Sequence, residues 1–243
     1  MLQRNWTLLG GVLLISCLQH THVKAIARQN ELIRVLVKQS SYIRFRADSN
    51  NPLLIKGLDS TTRRASSIRL RKRSGKLFYS INGGSNKLKA LPLNTEVRIT
   101  SRDKRGVWLG RRRYRGELRV YARANNLSVI NYIPLEKYLI SVVGSEMPKS
   151  WPMAALQAQA IAARTYAIRQ LGKKKLYDIN SSNLNQVYLG VESETITTKK
   201  AVNSTSSLVI TYKGKLINAV FHSSSGGETE NSGDVWKYQL PYL

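Results

Sequence analysis

Two hydrophobic periodicities divide the chain. From Ile33 to about Asn126, apolar and polar residues alternate in short runs, IRVLVKQ (33–39), SYIRFRA (41–47), TEVRIT (95–100) and GELRVYARA (116–124). Breaks at SNNP (49–52), NGGSN (82–86) and RDKRG (102–106) separate them. A period of two predicts half-buried strands joined by turns, with the basic residues at outward positions. The strand-like NLSVINYI (126–133) then leads into PLEKYLISVVG, where Pro134 can open a helix and Leu135, Tyr138, Leu139 and Val142 recur at helical spacing. Gly144 is expected to stop that helix. SWPMAALQAQAIAARTYAIRQLG (150–172) predicts a second one, with Ser150 as N-cap, Pro152 in the first turn, and Arg169 and Gly172 at the far end. Met153, Leu156, Ala160, Ala163 and Ala167 form a narrow face of small residues suited to close packing. The expected fold class is α+β, a β-rich basic N-terminal region followed by a mixed domain around a buried Ala-rich helix.

Residues 1–25 are set apart because Arg4 precedes an apolar run from Trp6 to Leu18 that ends in polar residues and Val23-Lys24-Ala25. The run is short for a bilayer span and has the flanks of a secretory signal. Cys17 in LISC also fits a lipoprotein signal, and an uncleaved anchor is a further reading. All three place the protein outside the cytoplasm, in the periplasm, the cell wall or at the outer face of the cytoplasmic membrane. Cys17 is the single cysteine, so the region after it has no disulfide and no cysteine metal ligand.

The formal net charge is +25, and setting aside residues 1–25 leaves 37 basic against 14 acidic residues. In a cytoplasmic protein such charge would point to nucleic acid. The export signal argues against that partner and toward anionic wall polymers, the carboxylates of peptidoglycan peptides or the acidic membrane face; a charged surface that merely solvates the protein is the plain alternative. The charge concentrates in TTRRASSIRLRKRSGK and SRDKRGVWLGRRRYRGELR, away from the stretch VVGSEMPKSW (142–151) that holds Glu146. A carboxylate between two helices, beside Met147, Pro148 and Trp151, can have its pKa raised and serve as a general acid. It can equally be an acid interacting with the dipole of the following helix.

The segment VINYIPLEKYLISVVGSEMPKSWPMAALQAQAIAARTYAI, with the later VFHSSSGGETENSGDVW and LPYL, resembles the stage II sporulation protein D family, also called the amidase-enhancer family. The resemblance runs from roughly Arg111 to Leu243, which implies a division into 1–25, a basic β-rich region 26–110 and a peptidoglycan-acting domain 111–243. It implies a lytic transglycosylase that cleaves peptidoglycan glycan strands between N-acetylmuramic acid and N-acetylglucosamine. Glu146 would act first as acid and then as base, giving a 1,6-anhydro product, so paired carboxylates are not required. Glu136 is expected on a helix surface. The alternative is a noncatalytic wall-binding modifier that enhances an N-acetylmuramoyl-L-alanine amidase.

The resemblance also carries candidate substrate-binding residues. Arg164 matches the arginine of the family helix, Gln157 stands where relatives often have lysine, and Gln159 and Tyr166 follow the motif as substrate contacts or packing residues. In the second motif, Ser223 and Ser225 offer hydroxyls, and Gly226 and Gly227 let backbone amides approach a sugar. His222 is expected to be hydrogen-bonded inside the cleft. A serine nucleophile with His222 and Asp234 lacks the nucleophile-elbow signature. Relatives can bind zinc with cysteines near this histidine; serines stand there in this chain, so no metal and no cofactor are expected. Trp236 can stack on a sugar or fill the core, with core the expectation. The resemblance continues beyond LPYL, which reads as an early C-terminus.

Overall fold

The computed structural model describes residues 22–25, 31–48, 50–83, 88–123, 126–222 and 226–243, with residues 22–25 as backbone alone. The first strands are β1 (His22–Ala25), β2 (Leu32–Ser40), β3 (Tyr42–Arg46), β4 (Leu53–Lys56), β5 (Arg63–Ala65), β6 (Ser67–Arg73), β7 (Lys76–Ile81) and β8 (Lys89–Leu91). They are followed by β9 (Val97–Ser101), β10 (Val107–Leu109), β11 (Arg112–Tyr114), β12 (Glu117–Ala122) and β13 (Leu127–Pro134). Helices α1 (Leu135–Glu146) and α2 (Met153–Gln170) come next, then β14 (Ile179–Asn180), a 3-10 turn (Gly190–Ser193) and α3 (Ile196–Ser204). The chain continues through β15 (Leu208–Tyr212), β16 (Lys215–Leu216) and the short α4 (Ser232–Val235). Sheets and helices are both present, so the fold is mixed α+β.

The strands form a six-stranded sheet in the order β11-β10-β3-β6-β7-β8, a seven-stranded sheet β14-β2-β13-β12-β9-β4-β5 and a small sheet β1-β15-β16. The period of two maps directly onto burial. Along β3, Ile43 and Phe45 point inward while Tyr42, Arg44 and Arg46 stay outside; along β9, Val97 and Ile99 are buried around an exposed Arg98. One continuous apolar cluster draws from both large sheets and from α1, α2 and α3.

Pairing crosses the division expected at residue 111 from the resemblance. Residues 110 and 111 lie in the turn between β10 and β11, whose strands pair Val107↔Tyr114 and Leu109↔Arg112. β2 pairs antiparallel with β13 from Leu32↔Pro134 to Ser40↔Leu127. Arg34 of β2 also grips Asp178, its Nη2 donating to Oδ1 at 2.6 Å and its Nε to Oδ2 at 3.1 Å. The extent of a family resemblance carries no information on which strand pairs with which.

Residues 22–25, set within the leader on sequence grounds, form β1 and pair with β15 from His22↔Thr211 to Ala25↔Leu208. Among the described residues no helix is long and apolar enough to cross a membrane. The Trp6–Leu18 run and Cys17 lie outside the described residues.

Both helix boundaries around Glu146 differ from the expected ones. α1 runs through Gly144 and ends at Glu146, with Met147 extended at φ −124°, ψ 144°. Pro148 imposes that extended conformation on the residue before it, and this ends the helix. Gly144 has another function: a Cβ there would lie 2.1 Å from the Ser193 carbonyl oxygen, so only glycine lets α1 approach the 3-10 turn so closely. Gly144→Ala should therefore destabilise the protein by roughly 1–3 kcal/mol through overpacking, read as a lowered urea midpoint; an unchanged midpoint would show that the turn yields freely.

α2 begins at Met153 with Pro152 as N-cap and no side-chain cap, so Ser150 does not cap it. The Pro152 carbonyl accepts from the amides of Ala155 and Leu156 at 3.0 and 3.2 Å. The small-residue face is as expected at Leu156, Ala160, Ala163 and Ala167, all buried, while Met153 is half-buried.

Candidate active site

Glu146 stands at the last position of α1, and a neighbouring segment holds its carboxylate. The Val187 amide donates to Oε1 at 2.6 Å. Val187 is placed there by its two flanking residues, whose side chains point the other way into the core. Gln186 accepts from the Tyr138 hydroxyl of α1 at 3.0 Å and donates to the Ala163 carbonyl of α2 at 3.1 Å. Tyr188 donates to Asn131 Oδ1 of β13 at 2.8 Å, and its ring lies 4.9 Å from that of Tyr138. An extended segment alternates sides, so anchoring Gln186 and Tyr188 inward turns Asn185 outward beside Glu146.

A cleft of about 460 Å³ opens over this carboxylate. Met147, Pro148, Trp151 and Phe221 give it apolar walls, while Gln159, Asn183, Asn185 and His222 add polar atoms. Glu146 is the sole carboxylate among the described residues lining it, and no ion pair engages it among the described residues. Burial raises its pKa above the ordinary carboxylate range, and the Val187 amide, which favours the charged form, only partly offsets this. Its Oε2 has no hydrogen-bond partner among the described residues. The Gln159 Nε2 is buried and likewise unpartnered among the described residues, leaving a free donor at the cleft wall. Trp151 is 50% exposed, an indole face available to a ligand.

Of the catalytic and substrate-binding candidates named from the sequence, Glu146, Gln159 and His222 converge on this cleft, together with the apolar neighbours Met147, Pro148 and Trp151. Tyr166 stands one step behind: its hydroxyl accepts from Asn185 Nδ2 at 2.8 Å and so orients a lining residue. Gln157 points elsewhere, donating to Ser204 of α3 at 2.9 Å. Gly226 and Gly227 have positive φ, 73° and 124°, and are exposed, yet neither lines the cleft. Ser223 and Ser225 lie outside the described residues. His222 lines the cleft, is exposed and makes no side-chain hydrogen bond among the described residues, which leave out residues 223–225 beside it. Trp236 is not a core residue: it is 50% exposed and, with Val235, Glu228 and Glu230, lines an adjoining cavity of about 310 Å³ that shares Phe221 and His222 with the first. Among the described residues no three His, Cys, Asp or Glu side chains come together as a metal site.

Arg164 is the clearest departure. It is fully buried, and its guanidinium forks onto Glu136, Nε to Oε1 at 2.7 Å and Nη2 to Oε2 at 2.8 Å. The remaining donors reach the carbonyls of Leu208 at 3.1 Å, Val202 at 3.2 Å and Ala160 at 3.5 Å. Every donor is thus used inside the protein, joining α1, α2, α3 and β15, and none remains for a ligand. Glu136 is half-buried and serves as the partner in this knot rather than as a free surface acid.

Comparison with known proteins agrees with the motif. Residues 123–212 match the Stage II sporulation protein family. The chain carries a stage II sporulation protein D family domain. It is 39% identical to Stage II sporulation protein D of Bacillus subtilis over 141 residues, 51% of this chain and 40% of that protein. Identity to the Amidase enhancer of the same organism is 44% over 105 residues, 43% of this chain and 14% of that protein. An uncharacterized protein of Brachyspira hyodysenteriae is 36% identical over 133 residues, 54% of this chain and 36% of that protein. The chain therefore spans well under half the length of these relatives. Within the family domain, sequence reasoning missed Asn183, Asn185 and the Val187 amide. The polar run SSNLN followed by the alternating QVY was the available signal.

Proposed function

We propose that this protein is an exported lytic transglycosylase acting on the glycan strands of peptidoglycan, with Glu146 as its acid and base. The observation that carries the reading is a lone, half-buried carboxyl with a raised pKa, held by one backbone amide at the floor of an open cleft. A protonated Glu146 gives its proton to the glycosidic oxygen as the bond to the anomeric carbon breaks. The resulting carboxylate then takes the proton of the muramic acid 6-hydroxyl as that oxygen closes onto the anomeric carbon. Water is not consumed, and one carboxylate in two successive states suffices, in keeping with the absence of a second one along the described cleft lining.

Around it, Trp151 offers an amphipathic face for a sugar ring, and Gln159 and Asn185 offer donors to its hydroxyl and acetamido groups. The relationship to a protein named Amidase enhancer favours a second reading, in which the chain binds the wall and stimulates a separate amidase. Mass spectrometry of the soluble products from intact and peptide-stripped peptidoglycan separates the two. Anhydro-muramyl ends released by the protein alone are expected. Products that arise only when an amidase is added would replace the transglycosylase with the modifier.

A further inference from the structure

The arginines of β3 and β6 are treated differently from most others in the two large sheets; Arg113 of β11, opposite Trp108, is paired with Asp48 and Glu192, and Arg64 of β5 has no acidic partner among the described residues. On the seven-stranded sheet Arg34, Arg63, Arg98 and Arg119 each sit against an Asp or Glu. On the six-stranded sheet Arg44, Arg46, Arg69, Arg71 and Arg73 have no acidic partner among the described residues. Residues 60–95 contain nine Lys or Arg and no Asp or Glu, so no local acid can neutralise β6 or β7.

Register gathers these arginines on one face. Tyr42 stands opposite Arg71, Arg44 opposite Arg69, and Arg46 opposite Ser67. Trp108 of β10 faces Arg46, and Lys76 of β7 faces Arg73. Directly opposed residues lie about 5 Å apart and residues two apart on a strand about 6.7 Å, so the guanidiniums form a close two-row array. Like charges placed so closely repel, and folding alone does not favour them. Two of them are stacked in place, Arg46 at 5.3 Å over the Trp108 ring and Arg71 at 5.6 Å over Tyr42. The Arg69 Nε is buried and without a partner among the described residues.

We infer that this face is a docking surface for a linear polyphosphodiester of the cell wall. Guanidinium forks match phosphate oxygens bidentately, and a row of them along a strand suits an extended chain with one phosphate per repeat. A membrane surface fits less well, because the aromatic rings of Tyr42 and Trp108 lie beneath guanidiniums instead of projecting as wedges. The inference does not depend on the chemistry assigned to Glu146.

The test is binding of the full chain to poly(glycerol phosphate), followed by fluorescence anisotropy at 50 and 200 mM salt. With five phosphate contacts, affinity should fall roughly 100-fold across that range. R44Q/R46Q/R71Q should bind at least about 10-fold more weakly with an unchanged melting temperature, whereas K56Q/K199Q/K200Q, an equal change in charge placed elsewhere, should lose less than about 3-fold. Equal losses in the two variants would reduce the effect to net charge and overturn the inference. Polyglutamate of matched length binding as tightly would overturn the phosphate assignment, and tighter binding to phosphatidylglycerol vesicles would make the face a membrane contact instead.

Discussion

Glu146→Gln is expected to abolish release of anhydro-muramyl products, by about 100-fold or more, while leaving the fold and wall binding intact. General acid and base assistance is typically worth 100- to 10,000-fold, and here one group supplies both. The glutamine carbonyl can still accept from the Val187 amide, so the geometry survives and only the proton is lost. For the parent, activity should fall as pH rises through the elevated pKa of Glu146, because the acid step needs the protonated form. Stability responds in the same window. A carboxyl with a raised folded pKa binds its proton more tightly in the folded protein than in the unfolded chain, so each increase in pH between the ordinary and the raised value costs stability. A neutral amide at this position carries no such cost. The variant should match the parent below the ordinary carboxylate range and melt higher at neutral pH. Wild-type product yields from the variant would sink the acid/base assignment, and a lower neutral melting temperature would mean that the carboxylate is structurally required.

Arg164→Ala should act on folding. Removing one member of a buried ion pair typically costs 3–5 kcal/mol, because the other is left uncompensated. Here three carbonyls lose their donors as well. At about 2–4 °C per kcal/mol for a chain of this size, the melting temperature should drop by roughly 10 °C. Arg164→Lys should rescue little of this, since an ammonium cannot span Glu136 and carbonyls on three elements. The double variant E136Q/R164M should lose less than the sum of the two single changes. An unchanged melting temperature with weakened peptidoglycan binding would instead return Arg164 to the cleft.

The contrast between these two residues marks what is legible in the sequence. Glu146 stands out because a carboxyl between a helix and a proline is a local pattern, and its surroundings, Met147, Pro148 and Trp151, are also local. Arg164 lies 28 residues from Glu136 and 44 from Leu208. Nothing in the intervening sequence says that the helix turns this side chain inward, and a motif position reads equally well as contact or as brace. β3 of the six-stranded sheet is visible through strict alternation at Ile43 and Phe45, as β2, β9, β12 and β13 of the seven-stranded sheet are through their own apolar runs. β1 is hidden because four residues after an apolar run read as its polar flank. Gly144 misleads because close approach to Ser193, 49 positions later in the chain, leaves the same single-residue trace as a helix stop.

The pairing of β2 with β13 has a consequence for how such a chain can be divided. The family match begins at residue 123, yet the strand that covers one edge of β13 comes from residues 32–40. The inherited module and the cooperative folding module therefore have different limits. A fragment cut at the start of the match would present a long, apolar, unpaired strand directly before the helix that ends in Glu146, and such an edge invites intermolecular pairing. Residues 32–40 are thus a structural complement of the matched segment, although their composition reads as part of a basic extension.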